Sequence, residues 1–205
     1  YNYEDVVFNE GKNKFVAIGK PITVSGKSND IMTITLKSLK QLDSFKDPVI
    51  ETVFNDIVNS KKEVTFNRSS SVTINNFEQH RGSFTHAINS REFDIYLDFA
   101  YDLRKGSELR KFNTSYTDII GHELKHAYDK MNYIANNNKV PGHSFTYDEF
   151  NTVAFENHIK SSEGNRYRRT TYAGLPIPDA YNRVILANKS SRKRNIRWEK
   201  YSYSS

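Results

Sequence analysis

The chain has 205 residues, a length that suits one domain. At 37% hydrophobic and 13% aromatic it carries enough apolar surface for a core, which excludes a disordered chain. It has no cysteine, which excludes disulfides and thiolate metal ligands, and much of its net charge of +6 sits in Lys189, Arg192, Lys193, Arg194, Arg197 and Lys200.

Residues 1–30 read as short strands and turns, with Phe15–Ile18 and Ile22–Val24 separated by Gly19-Lys20-Pro21. Leu36, Leu39 and Leu42 recur at helical spacing, which predicts a helix over 34–45. Asp47-Pro48 reads as an N-cap followed by proline at the first helical position. Val49, Val53, Phe54, Ile57 and Val58 then give the next helix one apolar face. β signals follow at 63–66, 72–74 and 83–88. Residues 91–100 alternate, with Phe93, Ile95, Leu97 and Phe99 on one face, which predicts a half-buried strand. A helix is expected from Thr114 or Ser115 to about Tyr133, and a loop over 136–142. A second helix is expected from about Tyr147 to Ser162, ending before Gly164. From about Ala187 the chain is polar and basic and reads as a tail or a loosely docked extension. No apolar run reaches membrane-span length and no signal-peptide pattern is visible. The start at Tyr1 instead of Met reads as that of an excised or processed piece.

His122-Glu123-Leu124-Lys125-His126 is an H-E-x-x-H element inside the first of these late helices. Residues four apart share a helix face, so the two imidazoles can bind one metal ion. Glu123 is placed to hold the attacking water and take its proton, as in zinc metallopeptidases. The competing reading is two surface histidines on a solvated helix. A catalytic zinc takes three protein ligands. Glu149, on the following helix, is the expected third, in the gluzincin manner. Thr146-Tyr147-Asp148-Glu149 also fits a capping box, in which Glu149 would bond back to the backbone at Thr146. Glu156, two turns later on the same face, is the alternate ligand or an acceptor orienting a histidine N–H. His143 and Asp148 are weaker candidates; His158, considered with them, is not read as a ligand, nor are His80 and His86. Asp129 reads as a brace for the site or a solvated carboxylate. Tyr172 or Arg169 is expected to supply a donor to the oxyanion. The fold expected is α+β: a single zincin-like, gluzincin-type domain with a small mixed sheet and the H-E-x-x-H helix packed against the second ligand-bearing helix. The domain is expected over 1–186, with its metal-site core at 93–172 and the basic tail at 187–205. One zinc ion per chain is expected. The cleft is expected between the 91–100 strand and the metal helix.

The stretch His-Glu-Leu-Lys-His-Ala-Tyr-Asp at 122–129 resembles the metal helix of the NleD-like family of bacterial effector metallopeptidases. So do Glu149, then Val153-Ala154-Phe155-Glu156-Asn157, Gly164, and Arg169-Thr170-Thr171-Tyr172, in that order. Lys160 stands where the family often has arginine. The resemblance implies a zinc endopeptidase, secreted or injected into a host or competitor cell and cleaving a protein in its cytoplasm. A monomer is expected, and nucleic acid is not the expected partner. A second reading is a zinc-containing, non-proteolytic binding module. In it Arg192-Lys193-Arg194, with Trp198, Tyr201 and Tyr203, would meet nucleic acid, an anionic membrane or an acidic partner.

Overall fold

A computed structural model describes residues 6–9, 14–17, 22–25, 30–60, 62–68, 72–74, 78–80, 82–188 and 195–200, with side-chain surroundings over 33–60, 62–67 and 82–187. The chain is a mixed α+β structure. Its first strands are β1 (Val6–Asn9), β2 (Lys14–Ala17) and β3 (Ile22–Ser25). Helices α1 (Asp30–Ser44) and α2 (Pro48–Asn59) follow. Then come β4 (Glu63–Arg68), β5 (Val72–Ile74), β6 (Glu78–His80), β7 (Phe84–Ala87) and β8 (Glu92–Leu97). One six-stranded sheet has the order β1-β2-β3-β4-β8-β7. β3, β4 and β8 are parallel neighbours, and α1 with α2 supplies the long crossover that the parallel β3–β4 pair requires.

Local chemistry accounts for these elements. The Asp47 carboxylate accepts from Val49 N at 2.8 Å and Ile50 N at 3.1 Å, capping α2 just before Pro48. Val49, Ile50, Val53, Phe54 and Ile57 then bury one face of α2. In β8, Phe93, Ile95 and Leu97 are buried and alternate with Glu92, Asp94 and Tyr96. That strand stops at Leu97, short of the expected residue 100. Asp98 accepts from Tyr101 N at 3.2 Å and caps a short helix, α3 (Phe99–Asp102).

α4 (Glu108–Lys111) leads into α5 (Tyr116–Met131), the H-E-x-x-H helix. Ser115 and Asp118 form a reciprocal capping box at its start. Residues 117–129 of α5 are buried on every side, because α1, α2, α6 (Asp148–Ser162), β7 and β8 all pack against it. α5 crosses α6 at Gly121, where a Cβ would run into Ile159 Cδ1.

The cleft expected beside the 91–100 strand is not there. β8 lies between β4 and β7, so both of its hydrogen-bonding edges are used. Among the described residues β7 is the outer strand of the sheet on that side, and it packs on α5. β9 (Thr171–Tyr172) and β10 (Leu175–Pro176) make a small hairpin. β11 (Arg183–Asn188) pairs with β12 (Asn195–Lys200), so part of the stretch read as a tail is a strand. β11 is docked on the helices. Asn151 donates to Arg183 O at 2.6 Å and accepts from Ile185 N at 3.1 Å, and Ala187 N donates to the Tyr128 hydroxyl at 2.9 Å. Residues 189–194 and 201–205 and the Trp198 side chain lie outside the described residues.

Candidate metal centre

One helix turn of α5 brings His122 and His126 onto the same face, their rings 4.9 Å apart. Nε2 of each lies 3.2 Å from the same oxygen, Glu149 Oε2. Ligand atoms of the three residues all lie within 4.8 Å of one another, and the group could hold a metal ion. The spacing fits. With Zn–N and Zn–O bonds of ~2.0–2.1 Å in a tetrahedron, neighbouring ligand atoms stand roughly 3.3 Å apart. The capping box that competed with this reading at Thr146 is not formed. Tyr147 is the N-cap of α6 and makes no side-chain cap bond, and the Glu149 carboxylate turns to the histidines instead.

The other imidazole nitrogens are also held. His126 Nδ1 lies 2.9 Å from Asp148 Oδ2. Burial opposes ionisation of Asp148, but the His126 contact outweighs it and holds the carboxyl below its usual value. Asp148 is therefore the acceptor and Nδ1 the donor; burial opposes charge on His126, yet Glu149 and Asp148 raise its pKa well above the usual imidazole value. His122 Nδ1 lies 3.3 Å from Glu156 Oε2, an ion-pair distance off the hydrogen-bond line. Burial alone would lower the His122 pKa, yet the Glu149 and Glu156 carboxylates push it up to about 9. Burial likewise opposes charge on Glu149, and the two imidazoles hold its carboxyl well below the usual range.

Glu156 is thus beside a histidine and not within the three-residue group. It is also an ion-pair hub. Arg169 Nη1 donates to Glu156 Oε2 at 2.9 Å, and Lys160 Nζ lies 3.7 Å from Glu156 Oε1 and 2.8 Å from Asp118 Oδ2. Arg169 is buried, and its Nε donates to Thr171 O at 3.1 Å. Its guanidinium sits 4.9 Å from the centre of the Tyr172 ring. Of the two residues expected as oxyanion donors, Arg169 is committed to Glu156 and Thr171. Tyr172 stacks on the His122 ring at 6.5 Å. Burial, with Glu149 beside it, raises the Tyr172 pKa well above the usual phenol value. A tight turn at Ala173-Gly174, with φ of 49° and 77°, fixes Tyr172 at the end of β9.

Glu123 is buried next to the triad. The Thr85 hydroxyl lies 2.7 Å from Glu123 Oε2 and 2.9 Å from Glu123 O. Lys130 Nζ donates to Thr85 O at 2.9 Å, so β7 is clamped to α5 at two points. No local sequence pattern marks Thr85, because its contact spans the sheet and the helix. Asp129 does not brace a histidine. Lys125 Nζ lies 2.5 and 2.6 Å from its two oxygens, and this buried pair reaches Asn151 Oδ1 at 3.3 Å. The brace is Asp148, which the sequence offered only as a ligand. His143 packs its ring 5.1 Å from Phe145, and His158 Nδ1 pairs with Asp47 Oδ2 at 2.8 Å. His86 is half-buried in β7, and the His80 side chain lies outside the described residues. Among the described residues no helix is long and apolar enough to cross a membrane.

No family model, no curated protein and no solved structure matches the chain.

Proposed function

We propose that the chain is a zinc-dependent endopeptidase of the zincin-like, gluzincin type, with His122, His126 and Glu149 as ligands to one zinc ion. The observation that carries this reading is the single Glu149 oxygen 3.2 Å from both Nε2 atoms. Two imidazoles and one carboxylate, with no thiolate in the chain, favour zinc in a catalytic site. When bound, zinc supplies Lewis acidity and makes water acidic enough to act as a nucleophile near neutral pH.

The chain's own groups supply the rest. Glu123, fixed by Thr85, takes the proton of the attacking water and passes it to the leaving amine. Tyr172 stays protonated under burial and the Glu149 charge, and its O–H, which rests on Glu149, would turn to the developing oxyanion. Arg169 and Glu156 position Tyr172 and His122. The motif order from His122 to Tyr172 supports kinship with effector peptidases and action on a protein inside a target cell.

The test is Glu123→Gln. This variant is expected to retain about one zinc per chain by elemental analysis. Its cleavage of a mixed synthetic peptide library should fall by roughly 10²–10⁴-fold. Wild-type cleavage by the variant would overturn Glu123 as the base, and absence of cleavage by the zinc-loaded wild type would overturn the peptidase reading.

A further inference from the structure

A cavity of about 410 Å³ borders the triad, within the ~300–1,000 Å³ typical of ligand clefts. Its lining runs from His122, Glu123 and Tyr172 to Tyr101, Asp102 and Leu109. The charges along this lining are not balanced. Glu156 and Glu108 both face Arg169, at 2.9 and 3.6 Å. Glu108 also accepts from Thr171 Oγ1 at 2.6 Å and Gly174 N at 3.0 Å. Arg104 is exposed and lies over the Tyr101 ring at 3.9 Å, donating to Tyr101 O at 2.7 Å. Glu123 is held by Thr85.

Asp102 is the exception. Its oxygens accept only neutral donors, Ser83 N at 3.2 Å and Ser83 Oγ at 2.5 Å. Among the described residues no cation lies within ion-pair distance of it. Its position is fixed. Gly82 has φ of 82°, and a Cβ there would stand 2.7 Å from Asp102 Oδ1. Burial pushes the Asp102 carboxyl up to about 6 against the Ser83 hydrogen bonds, with Glu123 and Asp98 adding to the rise. A half-buried carboxylate without a cation is an unfavourable arrangement that a ligand cation relieves. A side chain with an apolar stem and a charged end matches Leu109 and the Tyr101 ring together with Asp102.

We propose that this cavity is a substrate subsite beside the scissile bond, and that Asp102 selects a lysine or arginine side chain there. The proposal rests on the peptidase reading. The zinc-loaded protein and Asp102→Asn are each incubated with the mixed peptide library, and cleavage sites are mapped by mass spectrometry. Wild type should place Lys or Arg at one fixed position from the cut. Its preference for Arg over Gln at that position, as a ratio of kcat/KM, should fall at least tenfold in Asp102→Asn. Cleavage without a basic preference, or with one that the variant keeps, overturns the subsite and leaves the peptidase reading standing. Absence of any cleavage by zinc-loaded wild type counts against the peptidase reading. Binding of N-acetyl-argininamide then decides the cavity. Wild type should bind it at least fivefold more tightly than the neutral N-acetyl-citrullinamide, and Asp102→Asn should lose the difference. No discrimination by wild type overturns the proposal.

Discussion

At the residue scale, one carboxylate oxygen near two imidazoles separates the roles of two glutamates that share a helix face. Glu149 faces both Nε2 atoms, and Glu156 meets the rear nitrogen of His122. Replacing a group that orients a ligand lowers metal affinity by roughly 10–100-fold, and replacing a ligand costs more. Glu156→Gln is therefore expected to bind zinc at one per chain with affinity reduced by about that factor. Glu149→Gln should fail to retain zinc through dialysis. Competition titration with a chelating dye measures both. Thr85 is argued at the same scale. Its hydroxyl fixes the Glu123 carboxylate, and a hydrogen bond to a charged group contributes ~1.5–3 kcal/mol. Thr85→Val should lower kcat on library peptides by about tenfold or more with zinc content unchanged. Thr85→Ser, which keeps the donor, should restore most of it.

At the element scale, the candidate centre depends on how closely α5 and α6 approach, since each contributes candidate ligands. Gly121 allows that approach by leaving room for Ile159 Cδ1. Gly121→Ala improves helix propensity, yet it overpacks a site where Ile159 is fully buried. The expected result is a loss of ~1–3 kcal/mol in urea unfolding. Adding Ile159→Val removes the clashing methyl and should recover part of that loss. The same two helices are tied to β11 through Lys125, Asp129 and Asn151, so a lysine inside the H-E-x-x-H motif serves the fold. Capping and apolar spacing located α2 and α5, and the flanking Pro-Gly loop and Gly164 bounded α6, because these are local properties. Local pattern misplaced the cleft, because strand order in a sheet is set by pairings between distant segments.

At the scale of the whole molecule, buried and half-buried carboxylates of opposite behaviour link stability to pH. The His158 contact at Asp47 and the His126 contact at Asp148 hold these two low against burial, and burial raises Asp102 to about 6. The ordinary value for Asp102 is 3.8. Between 3.8 and about 6 the folded protein binds a proton that the unfolded chain has released. The contribution of Asp102 to stability is therefore greatest at the acid end of that window and is lost as pH rises through it. Asp102→Asn cannot titrate. Its stability relative to wild type should rise between pH 4 and pH 7, read from urea midpoints of the two metal-free proteins. A constant difference across that range would contradict the assignment.

The sequence by itself determined the H-E-x-x-H helix and the shared face of its two histidines, because residues four apart on one helix are placed by helix geometry. It also narrowed the candidates for a third ligand to a few downstream carboxylates and histidines, since a cysteine-free chain offers no thiolate. Only the tertiary structure decided which carboxylate meets both imidazoles, that Asp148 and not Asp129 holds His126, and that Thr85 and Asp102 border Glu123. Those are contacts between elements far apart in the chain. They follow from how α5, α6 and β7 pack together, and no local pattern of residues encodes that packing.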